Sequence, residues 1–137
     1  EIFSEIENFK KYNFNFNDFL IQGDWYDMKN LNPEIILAND LFPNVDQRLG
    51  LFLERFLDKG IEIKISLTWN DNNIFYKTRR IGLDEVIYVS PWKTEILINF
   101  LQKYKKYIVD YNEDALLQKT ESPFKNGRSV CVVNFRN

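Results

Sequence analysis

The sequence predicts an α/β fold with a mainly parallel sheet and an antiparallel hairpin at its carboxyl-terminal end. Residues 35–38 (Ile-Ile-Leu-Ala) form an apolar run without alternation, which is typical of a strand covered on both faces. Residues 61–69 alternate apolar and polar side chains, as a strand with one buried face does. Residues 49–57 between them repeat apolar side chains at helical spacing, and alternating strands and helices characterise this class.

The amino-terminal part is predicted to contain a helix and a strand before the apolar run. Ser4 and Glu7 have the spacing of a capping box, and the short helix that they open ends near Asn13. Residues 19–21 (Phe-Leu-Ile) are interpreted as a strand that ends at Gly23-Asp24.

A longer helix is predicted between the apolar run and the alternating strand. Asn44 or Asp46 is expected to cap its start, and Gly60 to end it in a left-handed conformation. Its predicted inner face consists of Leu49, Phe52, Leu53, Phe56 and Leu57.

The carboxyl-terminal half is predicted to hold further strands and one helix. Short strands are expected near residues 75–76 and 86–89, and Pro91 opens a helix that reaches Ile108. The last two strands are placed near residues 115–117 and 129–135.

The composition predicts one acidic globular domain over residues 1–137. Hydrophobic residues make up 45% of the chain, and the net charge of −2 gives no sign of a nucleic-acid partner. No apolar run approaches the roughly 20 residues that span a bilayer, so we expect a cytoplasmic protein without a membrane partner. Abundant Asn, Ile, Lys and Phe favour a bacterial origin with an AT-rich genome.

The missing residue types restrict the chemistry. The chain has no histidine and a single cysteine, Cys131, so Ser-His triads, histidine-ligated metals and thiolate clusters are excluded. We predict no metal site, and a general base has to be Asp, Glu, Lys, Tyr or a water molecule.

A candidate site follows the apolar run. In open α/β sheets, ligands bind outside the carboxyl ends of the strands, and Asn39-Asp40 falls at such an end. The alternative is that these polar residues only carry the strand into solvent, or that Asp40 or Asn44 only caps the next helix.

The order of the elements, with the residues at their ends, resembles the carboxyl-terminal two-thirds of class I S-adenosylmethionine-dependent methyltransferases. Gln22-Gly23-Asp24-Trp25 is similar to the end of that family's third strand, and residues 37–44 (Leu-Ala-Asn-Asp-Leu-Phe-Pro-Asn) to the motif that ends its fourth. Residues 56–66 resemble its glycine turn and fifth strand. The resemblance implies a partial Rossmann-like three-layer sandwich, closed by a helix and an antiparallel hairpin.

The resemblance also implies S-adenosylmethionine as the cofactor. Asp24 would accept a hydrogen bond from the adenine amino group, with Trp25 and Asn39 as further cofactor contacts. Asn39 or Asp40 would border the reacting methyl group, orient the acceptor and act as the catalytic residue. The alternative for Asp24 is a plain turn residue. An amine acceptor needs only oxygen acceptors, whereas a hydroxyl acceptor needs a base such as Asp40.

Acceptor-binding residues are expected near the fourth strand and after the fifth, where the family shapes its pocket: Phe42, Asn44, Trp69, Tyr76, Arg79 and Arg80. Arg79-Arg80 suits a phosphate or a carboxylate, although paired arginines are more common as plain surface residues. The aromatic residues are either core or pocket lining.

One departure from the family concerns the glycine-rich loop that wraps the cofactor. The five glycines, at positions 23, 50, 60, 82 and 127, are too far apart to form it. We therefore expect a domain truncated at its amino-terminal end, completed by a longer protein or a complementing amino-terminal chain. The exposed sheet edge would favour a homo-oligomer.

The predicted function is methyl transfer to a small-molecule or sugar-precursor acceptor. The alternatives are a catalytically inactive methyltransferase-like binding or scaffold domain, and an unrelated small α/β module.

Overall fold

The computed structural model describes residues 23–28, 31–72, 75–80, 85–117, 121–122 and 124–137. The chain divides into two compact units, residues 1–31 and residues 32–137. All described helices and strands belong to the second unit, which is α/β. The predicted helix at Ser4 and the predicted strand at 19–21 lie outside the described residues.

The described secondary structure begins with a strand–helix–strand motif whose two strands are parallel. Strand β1 (Ile35–Asn39) pairs in parallel with β2 (Glu62–Trp69), and helix α1 (Leu49–Leu57) connects them. This confirms the predicted strands and helix. The apolar face of α1 is buried as predicted, and Gly60 turns the chain with a φ of 71°. The predicted cap is wrong, because Arg48 is the N-cap residue and no side chain caps the helix.

A mixed four-stranded sheet has the order β1-β2-β6-β5, where β5 is Ile108–Tyr111 and β6 is Ser129–Phe135. Strand β6 is antiparallel to both of its neighbours. Of the three described pairings in this sheet, β1–β2 is parallel and the other two are antiparallel, so the prediction of a mainly parallel sheet is wrong and the sheet is mixed. The predicted antiparallel pair at the carboxyl-terminal end is confirmed, because β6 pairs antiparallel with β5.

The two faces of this sheet differ. The alternation of β2 is confirmed, since its apolar side chains Ile63, Ile65 and Leu67 are fully buried while Lys64 is exposed. On the face of Lys64, β1 presents Leu37, which is 74% exposed. The expectation that β1 is covered on both faces is therefore wrong, because β1 shares this solvent-facing side with the polar residues of β2.

A separate two-stranded sheet follows β2. Strands β3 (Tyr76–Arg80) and β4 (Glu85–Val89) pair antiparallel, which confirms the short strands predicted there.

The helix predicted from Pro91 to Ile108 is shorter than expected. Helix α2 (Thr94–Lys103) is followed by a 3₁₀ turn (Lys105–Tyr107), and β5 begins at Ile108. The predicted strand at 115–117 is wrong. Helix α3 (Glu113–Leu116) takes its place because Asn112 accepts the amide of Ala115 as an N-cap.

None of the described helices is long and apolar enough to cross a membrane.

Candidate functional site

The candidate site is the rim where the two parallel strands end side by side. Asn39, the last residue of β1, pairs in register with Ser66 of β2 and has an exposed side chain. Asp40 follows with a φ of 52°, in the left-handed region that Asp tolerates better than most residues. Its main-chain N–H donates to Oγ of Ser66 at 3.3 Å. The chain therefore turns sharply at the place where open α/β sheets bind ligands.

Three hydrogen bonds hold the Asp40 carboxylate. Nη1 of Arg128 donates to both carboxylate oxygens, at 3.0 and 3.1 Å, and Oγ1 of Thr68 donates to Oδ1 at 3.0 Å. Arg128 is 17% exposed and Asp40 43% exposed, so the ion pair is partly shielded from water. Hydrogen bonds between charged groups are stronger than neutral ones, and this pair therefore fixes the carboxylate at the rim.

The hydrogen-bond chain continues into the interior. Nδ2 of Asn44 donates to Oγ1 of Thr68 at 2.6 Å, and both residues are buried. The Thr68 hydroxyl thus accepts from Asn44 and donates its single proton to Asp40. The main-chain N–H of Thr68 donates to the carbonyl of Phe42 at 3.2 Å. Asn44 is therefore tied to Asp40 through Thr68.

Arg128 is itself held in place from the other side. Cζ of its guanidinium lies 3.9 Å from the centre of the Phe124 ring, a cation–π contact. Its main-chain N–H donates to Oδ1 of Asn126 at 3.2 Å. The buried amide of Asn70 donates to the carbonyl of Asn126 at 3.3 Å, which links this loop to the end of β2.

The side chain of Gln47 links the loop after β1 to the segment before α2 through two hydrogen bonds. Its Oε1 accepts from Nε1 of Trp92 at 2.6 Å, and its Nε2 donates to the carbonyl of Ser90 at 2.9 Å. In the same loop, Arg48 and Asp46 form an ion pair at 2.7 Å. The loop that borders the rim is thus held at several points.

Three residues of the site, Ser66, Thr68 and Arg128, are not among those that the sequence predicts. Ser66 and Thr68 carried a usable signal, because both lie on the polar side of β2 near its carboxyl end. No sequence signal pointed to Arg128, because 88 positions separate it from Asp40.

Three of the predicted acceptor residues are buried. Phe42 and Trp69 are fully buried, and Asn44 is nearly so. Nε1 of Trp69 donates to Oγ1 of Thr94 at 2.7 Å, and the Phe42 ring packs 4.8 Å from that of Phe52. All three side chains are packed in the interior, and none of them lines an open surface.

The other predicted acceptor residues lie on β3. Tyr76 is half-buried and Arg79 is exposed. The side chain of Arg80 is outside the described part of the structure.

The predicted cofactor residues Asp24 and Trp25 belong to the unit of residues 1–31. Asp24 is exposed, and its Oδ1 accepts from the main-chain N–H of Tyr26 at 2.8 Å. The half-buried Trp25 packs edge-to-face with Tyr26. Asp24 thus has the hydrogen bond of a turn residue, and its predicted cofactor contact stays a prediction.

Among the described residues, suitable binding groups exist for only some parts of an S-adenosylmethionine molecule. The exposed Asp24 carboxylate is chemically suited to an adenine amino group, and the exposed Asn39 amide to a reacting group at the rim. A Cβ added at Gly23 would lie 3.7 Å from Cε of Met28, an ordinary contact, so this glycine does not build a close cradle. No described residue supplies the glycine-rich loop for the methionine part.

Two further features lie apart from the rim. The thiol of Cys131 is buried, as its apolar surroundings in the sequence predict, and burial raises its pKa, which suits a packing role. A cavity of about 470 Å³ between α2, β5 and α3 has Leu101, Ile108 and Leu116 in its lining. None of the predicted site residues lines it. Among the described residues, no three acidic or cysteine side chains converge to hold a metal ion.

Comparisons with models of protein families, with curated proteins and with solved structures find no match to this chain.

Proposed function

We propose that the chain is part of an S-adenosylmethionine-dependent methyltransferase acting on a small-molecule or sugar-precursor acceptor. One observation carries the proposal: β1 and β2 are parallel neighbours that end at one rim with Asn39, Asp40, Ser66 and Thr68. The crossover helix α1 and the antiparallel pair β5–β6 follow in the order that the family resemblance implies.

The proposal assigns different roles to the two residues that end β1. S-adenosylmethionine would supply an electrophilic methyl group, so the protein has to place the acceptor atom in line with it and exclude water. Asn39 has an exposed side chain at the rim and is suited to orient the acceptor. Asp40 has both oxygens engaged by Arg128, which favours an orienting role over that of a general base.

The proposal requires a glycine-rich segment from outside these 137 residues, because the glycines within them are far apart. It therefore concerns either a longer form of this chain or a complex with a second chain.

Two assays test the proposal. Calorimetry measures the binding of S-adenosylhomocysteine, and a second assay measures the transfer of a labelled methyl group to a panel of amines and nucleotide sugars. The experiment uses the full-length gene product that contains these 137 residues. Asn39→Ala and Asp24→Ala should each abolish transfer without unfolding the protein. Asp110→Asn, an exposed change on β5, is the matched control and should leave transfer unchanged. Unaltered transfer in both alanine variants would refute the assigned roles.

A second candidate is a catalytically inactive methyltransferase-like binding or scaffold domain. The ion pair between Asp40 and Arg128 favours it to the extent that a carboxylate with both oxygens engaged by Arg128 is poorly suited to act as a general base. Failure of the full-length gene product to bind S-adenosylhomocysteine would support this candidate over the enzyme.

A further inference from the structure

The β3–β4 hairpin has one inward and one outward face. Its register pairs Tyr76 with the buried Val89 on the inward side. The next pair, Lys77 and Tyr88, points outward and is exposed. Because side chains alternate along strands, Arg79 and Val86 share this outward face, and both are exposed.

Two aromatic rings lie stacked on the outward face. The ring centres of Phe75 and Tyr88 are 5.6 Å apart with an interplanar angle of 18°. Each of the two residues is 61% exposed. The stack therefore occupies one face of each ring and leaves much of the other surface to solvent. Large exposed aromatic surface on a globular domain commonly marks a binding site.

Positive charge accompanies these rings. Lys77 is the ladder partner of Tyr88, and Arg79 lies two residues further along the same face. The chain as a whole has a net charge of −2, so a cationic aromatic face differs from the average surface. Aromatic rings beside Lys and Arg match the chemistry of a nucleotide, with a planar base next to negatively charged phosphates.

We propose that this outward face binds a nucleotide. The base extends the Phe75–Tyr88 stack, and the phosphates lie against Lys77 and Arg79. The inference rests on the proposed function and narrows its substrate class, since the acceptor is then a sugar carried on a nucleotide.

Calorimetry with UDP and ADP, carried out on the full-length gene product, tests the inference. Wild-type protein should bind at least one of the two nucleotides saturably. Tyr88→Ala should weaken binding about tenfold or more, the range found when stacked aromatic residues are removed. Lys77→Gln should weaken the binding of UDP but not that of uridine. Tyr111→Ala and Lys105→Gln, at exposed positions outside the hairpin, are matched controls that should bind as wild type does.

Further variants and ligands distinguish a nucleotide site from a folding defect and from a cofactor site. Tyr88→Trp should restore binding, which excludes a loss caused by unfolding. S-adenosylhomocysteine binding should be unchanged in Tyr88→Ala. If S-adenosylhomocysteine fails to bind wild-type protein while UDP or ADP binds, the proposed methyl transfer fails and the nucleotide site stands.

Any of four results would overturn the inference. The first is no saturable binding of UDP or ADP at millimolar concentration, and the second is equal binding by wild type and Tyr88→Ala. The third is equal loss of S-adenosylhomocysteine binding in Tyr88→Ala, which would make the hairpin part of the cofactor site. The fourth is far tighter, length-dependent binding of an oligonucleotide, which would indicate a nucleic-acid surface.

Discussion

The ion pair between Asp40 and Arg128 should contribute measurably to the free energy of unfolding. Exposed ion pairs contribute about 0.2–1 kcal/mol, whereas breaking a buried one costs about 3–5 kcal/mol. This pair lies between these limits, because Arg128 is 17% exposed and Asp40 is 43% exposed. Discounted for solvent screening, the expected coupling energy is about 1–2 kcal/mol.

A double-mutant cycle with Asp40→Asn and Arg128→Met isolates this coupling. Asparagine tolerates the left-handed backbone at position 40, where φ is 52°, so the substitution removes charge without adding backbone strain. Methionine keeps an apolar stem against Phe124, whose ring now contacts the guanidinium. Arg128→Met alone should destabilise the protein by about 2 kcal/mol, since it also leaves the Asp40 carboxylate without its strongest donor.

Urea unfolding of the four proteins, followed by circular dichroism, measures the coupling. The single variants should each be destabilised, and the double variant should be less destabilised than the sum of the two. A coupling below about 0.3 kcal/mol, which is within the additivity of independent sites, would refute the ion pair as an energetic element of the rim.

Three further predictions concern the core, the network and the surface charge. Thr68→Val keeps the shape of a buried side chain but removes its hydroxyl, so it should lower the free energy of unfolding by about 1–3 kcal/mol in urea titrations. Leu53→Ala removes a fully buried side chain of α1 and should cost about 2–5 kcal/mol, whereas Leu51→Ala, at an exposed position of the same helix, should change stability by less than about 0.5 kcal/mol. The hydrogen bond from Lys64 lowers the pKa of Glu62, so Lys64→Met should raise that pKa in a carbon NMR titration. Because the folded pKa is lowered, the stabilisation from this pair is present above the pKa of unfolded glutamate and is lost as the pH falls through the folded value.

Each of these predictions has a contradicting result. Wild-type stability of Thr68→Val would mean that the hydroxyl network is energetically neutral. Equal losses at Leu53 and Leu51 would contradict the orientation of α1, and an unchanged pKa of Glu62 in Lys64→Met would assign its shift to other groups.

The crossover was predictable because its signals are local and periodic. The alternation of β2 and the helical spacing in α1 each depend on which face is buried, and the structure buries those faces. The open side of β1 was not predictable, because a run of four apolar residues looks the same in a covered strand and in one with an open side. Leu37, at 74% exposure, shows the difference.

The errors near the carboxyl-terminal end have a common cause. The apolar character of residues 115–117 (Ala-Leu-Leu) is the sole basis on which the sequence predicts a strand there. The preceding Asn112 is a good N-cap, and Glu113 and Asp114 suit the positive end of a helix dipole. Local capping therefore outweighs a three-residue apolar run, and the strand of the terminal pair lies earlier, at Ile108–Tyr111.

The position of Arg128 follows from topology, although no local pattern indicates it. Strand β6 is antiparallel to β2, with Ser129 opposite Trp69, so the start of β6 lies beside the carboxyl end of β2. Strand β1 is parallel to β2 and ends opposite Ser66, three residues before Trp69, where Asp40 turns away. Arg128 immediately precedes β6, and its long side chain covers this offset to reach the Asp40 carboxylate. The pairing of the two residues therefore depends on the place of β6 next to β2, which is a property of the folded sheet and not of any local sequence pattern.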